Sequence, residues 1–380
     1  MKLVQCDTLW ATLRWSLHAW WHGYSVPTEL SSWARYEEDY EVLKAAGERW
    51  ALLRPFFASW GYHLYEYERL PLTYPPKSLK CPDIVDESYP YARCRFTKDE
   101  HYVFTYVHTG RIWAARDNFG RDVIIKLVSS RNEEQEELKV WKRLSAPEVR
   151  EDPRSNRTLR VLDFITYDGL VFVVTPRWGM PFVGLSFPSV EHIFDMLEQF
   201  YDGLAFLHDN RIAHRDIDPG NMVMNALFDY FDETRDSVEI RDPSRVLYAH
   251  IDFEASALFA MDTDIDNVTM ERASRLSTLW SGLAEGQRSN PFRDDVYVLT
   301  WVLQDWSRHI ESIVPEIGSF YDGILKDYSR TPRAEAALHQ LREIRSKLTA
   351  EQLRQEPPGY MWSKDASSFR ESSQGLTLER

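Results

Sequence analysis

Only three cysteines, Cys6, Cys81 and Cys94, are scattered through the 380 residues. They are too few and too far apart for a disulfide framework, and no Cys/His spacing matches a zinc site, so a reducing compartment is expected. Positive charge is scarce too, with 45 Lys and Arg against 59 Asp and Glu and a net charge of −14. Nucleic acid or an anionic membrane would repel such a chain unless a local basic patch intervened, and no basic run supplies one. Neither partner is expected. Long apolar runs are also missing, because Asp7, Arg14 and His18 interrupt the Trp- and Leu-rich residues 1–24. This excludes a signal peptide or membrane span in the expectation and points to cytoplasm or nucleus. There is no internal repeat.

What is present is enough apolar material, 43% of residues, for one large core or two modest ones in a soluble globular protein. Residues 1–100 are rich in tryptophan. Between Ser31 and Phe57 the residues Trp33, Tyr36, Tyr40, Leu43, Trp50, Leu53 and Phe57 recur at helical spacing. An amphipathic helix with Ser31 or Ser32 near its cap is expected, its tryptophan stripe serving the core rather than a ligand. The proline-rich stretch 74–91 reads as a loop.

From residue 102 the period changes. The runs 102–107, 111–115 and 123–128 read as a β-meander, a helix is expected at 133–144, and strands follow at 160–166 and 170–176. Beyond Pro176 the chain becomes mainly helical, with candidates at 190–209, 295–310 and 334–348 and an acidic insertion at 225–244. The expected division is a helical N-terminal extension over 1–100, a β-rich part over 101–176, a helical part over 177–350 and a polar tail over 351–380.

The most informative stretch is His214-Arg215-Asp216, followed after four residues by Asn221 and the apolar run Met222-Val-Met224. A four-residue gap lets one tight turn aim an Asp and an Asn at the same place, which suits a reaction needing a carboxylate beside an attacking oxygen and an anchored cation. Upstream stands Val123-Ile-Ile-Lys126, and downstream Ile251-Asp-Phe-Glu254 ends an apolar strand.

In this order, over roughly 102–348, the motifs resemble those of the protein-kinase-like superfamily. The resemblance implies an α+β, two-lobed protein-kinase-like fold: a five-stranded antiparallel small lobe with one helix, and a mainly α-helical large lobe. It implies ATP and Mg2+ as cofactors. Asp216 matches the catalytic base, Arg215 a brace for the activation segment, Asn221 and Asp252 metal ligands, and Lys126 the lysine on the α- and β-phosphates. Glu137 matches that lysine's helix partner, with Glu133, Glu134 and Glu136 as competitors. Gly110, Thr175 and Arg177 match nucleotide-contacting positions. Asp295 resembles the aspartate of the central large-lobe helix, although an Asp there also reads as an ordinary helix cap. Glu285 resembles the glutamate of the family's Ala-Pro-Glu motif, with Arg333 or Arg330 as partner. The aromatic extension, the run Thr175-Pro-Arg-Trp178 and the long insertion after Asn221 are most similar to a group of fungal (basidiomycete-type) protein-kinase-domain proteins.

Four departures bear on activity. Only Gly110 stands where a glycine-rich loop is usual, Asp218 replaces a lysine, Glu254 replaces the flexible glycine after Asp-Phe, and no Ala-Pro-Glu is found. The reading is an ATP-dependent transfer to Ser or Thr hydroxyls of a protein substrate. The alternatives are a pseudokinase acting as a binding scaffold, or a small-molecule phosphotransferase resembling aminoglycoside and choline kinases. One of Asp262, Asp264 and Asp266 is expected to pair with Arg215 in place of a phosphorylated residue.

Overall fold

Asp117 and Asp122 bracket the turn that starts the central sheet. The Asp117 carboxylate accepts the N–H groups of Phe119 and Arg121, each at 2.9 Å, and Gly120 takes a φ of +79° that other residues resist. The strands on either side, Ile112–Asp117 and Asp122–Ser129, therefore pair antiparallel, with Lys126 opposite Ile112. The computed structural model describes residues 4–21, 23, 26–33, 40–67, 70–79, 89–95, 105–107, 109–130, 135–182, 186–228, 237–272, 282, 284, 286–359 and 361–362. The chain is mixed α+β and divides into two compact units, the first made of Met1–Trp141, Arg160–Gly179 and Ala226–Asp229, the second of the remainder.

The first unit holds a five-stranded antiparallel sheet. Its spatial order is Tyr62–Leu64, Ile112–Asp117, Asp122–Ser129, Leu170–Pro176 and Asp163–Tyr167. Three of the expected strands are found within two residues of their predicted starts, and the fourth, predicted from 160, starts at 163. The edge strand differs. It comes from Tyr62–Leu64, whereas Thr105–Tyr106, from the run expected to fill that place, pairs with Leu72–Thr73. Residues 102–104 lie outside the described residues. A three-residue strand is too short to show a period, so its neighbours in space, not its own sequence, define it.

The helix Tyr40–Ser59 covers a face of this sheet. Trp50 is fully buried, stacks on Trp113 and Phe57, and meets Trp33 and Phe172 edge-on. Such aromatic contacts add to area burial, with each ring pair contributing about 0.5–1.5 kcal/mol. Residues before and after the boundary expected at 100 thus share one core. Leu30–Ser32 forms a separate 3-10 turn rather than the start of that helix, and Tyr36 lies outside the described residues. The helix Val4–Trp21 buries Trp15 and Ala19 and exposes Trp10, Trp20 and Trp21. Among the described residues no helix is long and apolar enough to cross a membrane.

In the second unit the helix Val190–Asp209 spans the range its sequence period predicts, and thirteen of its twenty residues are buried. Helices Pro291–Ser307, Pro315–Leu325 and Ala334–Ser346 pack in the same unit. The strands Met222–Met224 and Tyr248–His250 pair antiparallel on either side of the insertion at 225–244. Ile212–Ala213 pairs with Ala257–Leu258.

Candidate active site

The chemistry-bearing residues fall into two groups, one in each unit. In the first unit Lys126 occupies a central strand, between Ile112 on one side and Val173 on the other. Its ammonium lies 2.7 Å from the Glu137 carboxylate, and the two side chains are 11% and 5% exposed. Glu137 begins the helix Glu136–Leu144, where a carboxylate also complements the helix dipole. Trp141 Nε1 donates to the same Glu137 oxygen at 3.3 Å. Of the competing acids, Glu136 instead pairs with Lys139 in a half-exposed bridge, and Glu133 and Glu134 lie outside the described residues. Helical geometry explains the choice: consecutive residues point about 100° apart, so only one of two neighbouring acids can face the sheet.

Gly110, Thr175 and Arg177 belong to the same unit. The Gly110 carbonyl accepts the Trp50 indole N–H at 2.8 Å, so this glycine ties the loop to the Tyr40–Ser59 helix. Gly110 has no positive φ, and the connection in which it lies runs over residues 65–111 rather than through a short glycine hairpin. Thr175 sits opposite Ile124 in the sheet and is buried. Arg177 donates its backbone N–H to the Asp122 carbonyl at 3.0 Å and a guanidinium N–H to the Tyr65 hydroxyl at 3.1 Å. Tyr65 in turn donates to Asp122 at 2.5 Å, and burial, with the adjacent Asp122 charge, holds its phenol well above the usual range. The expectations contained no hint of this Tyr65–Asp122–Arg177 network, since its members are 112 residues apart at the widest.

The second group is built around Asp295. Its carboxylate, 2% exposed, accepts the backbone N–H of His214 and of Arg215, each at 2.7 Å, and His208 Nε2 at 3.2 Å. Asp295 is therefore not a helix cap. Asn290 has that role, accepting the Arg293 N–H at 3.0 Å, with Pro291 in the first helical position. The pair Asn290-Pro291 is a readable start signal, and applying it would have placed Asp295 a full turn inside the helix.

The loop from His214 to Asn221 is tied down bond by bond. His214 Nε2 donates to the Ile251 carbonyl at 2.9 Å, and His214 Nδ1 accepts the Asp216 N–H at 3.3 Å. These two bonds require the tautomer protonated on Nε2. The His214 ring also lies 5.5 Å from that of Phe253. Asn221 Nδ2 donates to the Asp216 carbonyl at 2.9 Å, and the Asn221 carbonyl accepts from Ile251 at 3.0 Å. The structure thus brings His214, Arg215, Asp216, Asn221, Asp252, Phe253 and Asp295 together. Arg215 and Asp252 both have a φ of +65°, a left-handed conformation costing non-glycine residues about 1 kcal/mol or more.

Arg215 donates to the carbonyls of Ala255 at 3.1 Å and Glu271 at 2.9 Å, bridging two points of the segment that follows Asp252. Asp266 is committed to the Arg333 guanidinium, and Asp264 accepts from the Asp266 N–H and the Asn267 amide. Arg333 therefore takes Asp266 as a partner, and Glu285 lies outside the described residues. Asp218 accepts the Gly220 N–H at 2.8 Å and caps the turn Pro219–Asn221. Its acidity has a local structural use. Glu254 donates its N–H toward Asp252 Oδ1 at 3.4 Å.

The donor set suits a hard cation. Asn221 Nδ2 is used on the Asp216 carbonyl, so a cation held here would meet the Asn221 side-chain oxygen and the carboxylate of Asp252. No group of three or more His, Cys, Asp or Glu with metal-holding geometry occurs among the described residues. Mg2+ does not need one, since phosphates and water usually complete its shell. Compared with known proteins, the chain matches no family model and no curated protein.

Proposed function

We propose that the chain is an ATP-dependent phosphotransferase of the protein-kinase-like kind, acting on Ser or Thr hydroxyls of a protein. The observation that carries the reading is the buried Asp295 carboxylate holding the backbone of His214 and Arg215, because it commits a buried polar group to the posture of one short loop. A loop whose only task was to connect a helix to a strand would not need it. The Lys126–Glu137 pair supports the same reading, since Lys126 is then presented as a fixed cation for phosphate oxygens.

In this mechanism Asp216 takes the proton of the acceptor hydroxyl. As that oxygen bonds to the γ-phosphorus of ATP, the bond from phosphorus to the bridging oxygen breaks and ADP leaves. Asn221 and Asp252 would hold Mg2+, which when bound offsets the charge of the phosphates. Arg215 keeps the segment after Asp252 ordered through the Ala255 and Glu271 carbonyls.

A second reading, a binding scaffold without turnover, is favoured by one observation: the Gly110 carbonyl is occupied by Trp50 where a nucleotide-covering glycine hairpin is usual. A thermal shift with ATP and Mg2+ separates the two. The wild-type chain is expected to be stabilised by about 2–3 kcal/mol at nucleotide one hundredfold above its Kd, and Asp252→Ala is expected to lose the shift. Casein-like proteins are expected to be phosphorylated ahead of amino-alcohols and aminoglycosides. A wild-type chain with neither shift nor turnover would leave the scaffold reading in place.

A further inference from the structure

A cavity of about 500 Å3 opens in the second unit between the 266–272 stretch and the start of the Pro291–Ser307 helix. Its wall carries Arg272, Arg288 and Arg293, with Thr269, Ser289 and Tyr328 beside them, and one carboxylate, Asp266. The charges do not cancel. Asp266 is held by Arg333 from outside the wall, and Arg272 is held by Asp294 through two bonds of 3.1 Å while lying over the Tyr328 ring. Among the described residues Arg288 meets only neutral acceptors, the Thr269 carbonyl at 3.1 Å and hydroxyl at 3.4 Å. The Arg293 guanidinium meets no hydrogen-bond acceptor among the described residues, although its charge is felt by Asp266.

Among the described residues, then, two guanidiniums of this wall have no carboxylate within hydrogen-bonding distance, at one place on a chain whose net charge is −14. Elsewhere in this unit Arg308 pairs with Asp322 and Arg345 with Asp195, while Arg143 and Arg211 meet neutral acceptors, so what distinguishes Arg288 and Arg293 is that they line one cavity. The size suits one or two amino-acid side chains, and planar guanidiniums bind carboxylates in paired N–H···O bonds. Nucleic acid would need a longer basic track than two residues provide.

We propose that this cavity receives an Asp or Glu side chain of the protein substrate, so that the acceptor is an acidic peptide. The inference deepens the phosphotransfer reading and rests on it for the word substrate. Fluorescence anisotropy with the full chain, using a labelled Ser-containing peptide rich in Glu and its Gln-substituted counterpart, tests it. The Glu peptide is expected to bind about tenfold more tightly at low salt, and Arg288→Gln/Arg293→Gln to lose about that factor. Arg288→Lys/Arg293→Lys, which keeps the charge, is expected to retain binding within about threefold. Equal binding of the two peptides, or a Gln variant that melts like wild type and binds the Glu peptide undiminished, would overturn the assignment. If the Glu peptide binds selectively to a chain showing no magnesium-nucleotide shift, the cavity stands and the phosphotransfer reading falls.

Discussion

Lys126 and Glu137 illustrate how far residue identity reaches. The sequence marks Lys126 by its place at the end of an apolar run, but Glu137 is one of several acids in a row. Only the helix's rotation, which points Glu137 inward and leaves Glu136 to Lys139, distinguishes them. Because both partners are largely buried, Lys126→Met strands a carboxylate in the core and is expected to cost about 3 kcal/mol in urea unfolding. Lys126→Met/Glu137→Leu is expected to recover most of that stability. Under the phosphotransfer reading neither variant regains the nucleotide-induced shift. A single variant as stable as wild type would show that the pair is solvated and weak.

At the scale of elements, the Pro291–Ser307 helix contributes to the site through a residue one turn in from its cap. Asp295→Asn keeps size but turns one acceptor oxygen into a donor that faces a backbone N–H. Denaturant melts are expected to show a loss of about 2–3 kcal/mol, the range for a buried hydrogen bond to a charged group that is left unmet. Under the phosphotransfer reading turnover falls with it, while Asn290→Ala is expected to cost only about 1 kcal/mol as a lost cap. Equal costs for the two variants would contradict the assignment of cap and anchor. The helices at 190–209 and 334–346 were legible because their apolar stripes are long. The strand Tyr62–Leu64 was not, because three residues carry no period and its pairing partner lies about fifty residues on.

Over the whole molecule, burial creates a pH dependence with a definite sign. Burial, followed by the nearby His214, pushes His250 down to about 3, and burial pushes His309 down to about 4. Each histidine is protonated more readily in the unfolded chain, so their contribution is complete above about pH 6.5 and is lost as pH falls toward the folded values. Asp305 works in the opposite direction. Burial raises it to about 6, so its penalty grows as pH rises from about 4 through 6. Two groups outweigh one, and Tm is expected to drop on the order of 5 °C between pH 7 and pH 5. His250→Gln, which can still donate to the Phe200 carbonyl, should flatten the dependence; an unchanged slope would place its origin elsewhere. The first unit makes a further demand: a chain starting at residue 101 lacks Trp50 and the Tyr62–Leu64 strand, and is expected to lose the part of the near-ultraviolet circular dichroism that the packed tryptophans of this unit contribute.

The sequence by itself determined the motifs, their order, the long helices and most of the sheet, because each is written in local periods or in residue types a few positions apart. Tertiary structure alone decided which acid meets Lys126, that Asp295 holds the backbone of His214 and Arg215, and that the aromatic N-terminal part shares a core with the sheet. It also left Arg288 and Arg293, among the described residues, with no carboxylate in hydrogen-bonding reach. These outcomes depend on which distant side chains burial brings within hydrogen-bonding distance, and neither spacing nor composition along a chain encodes that distance.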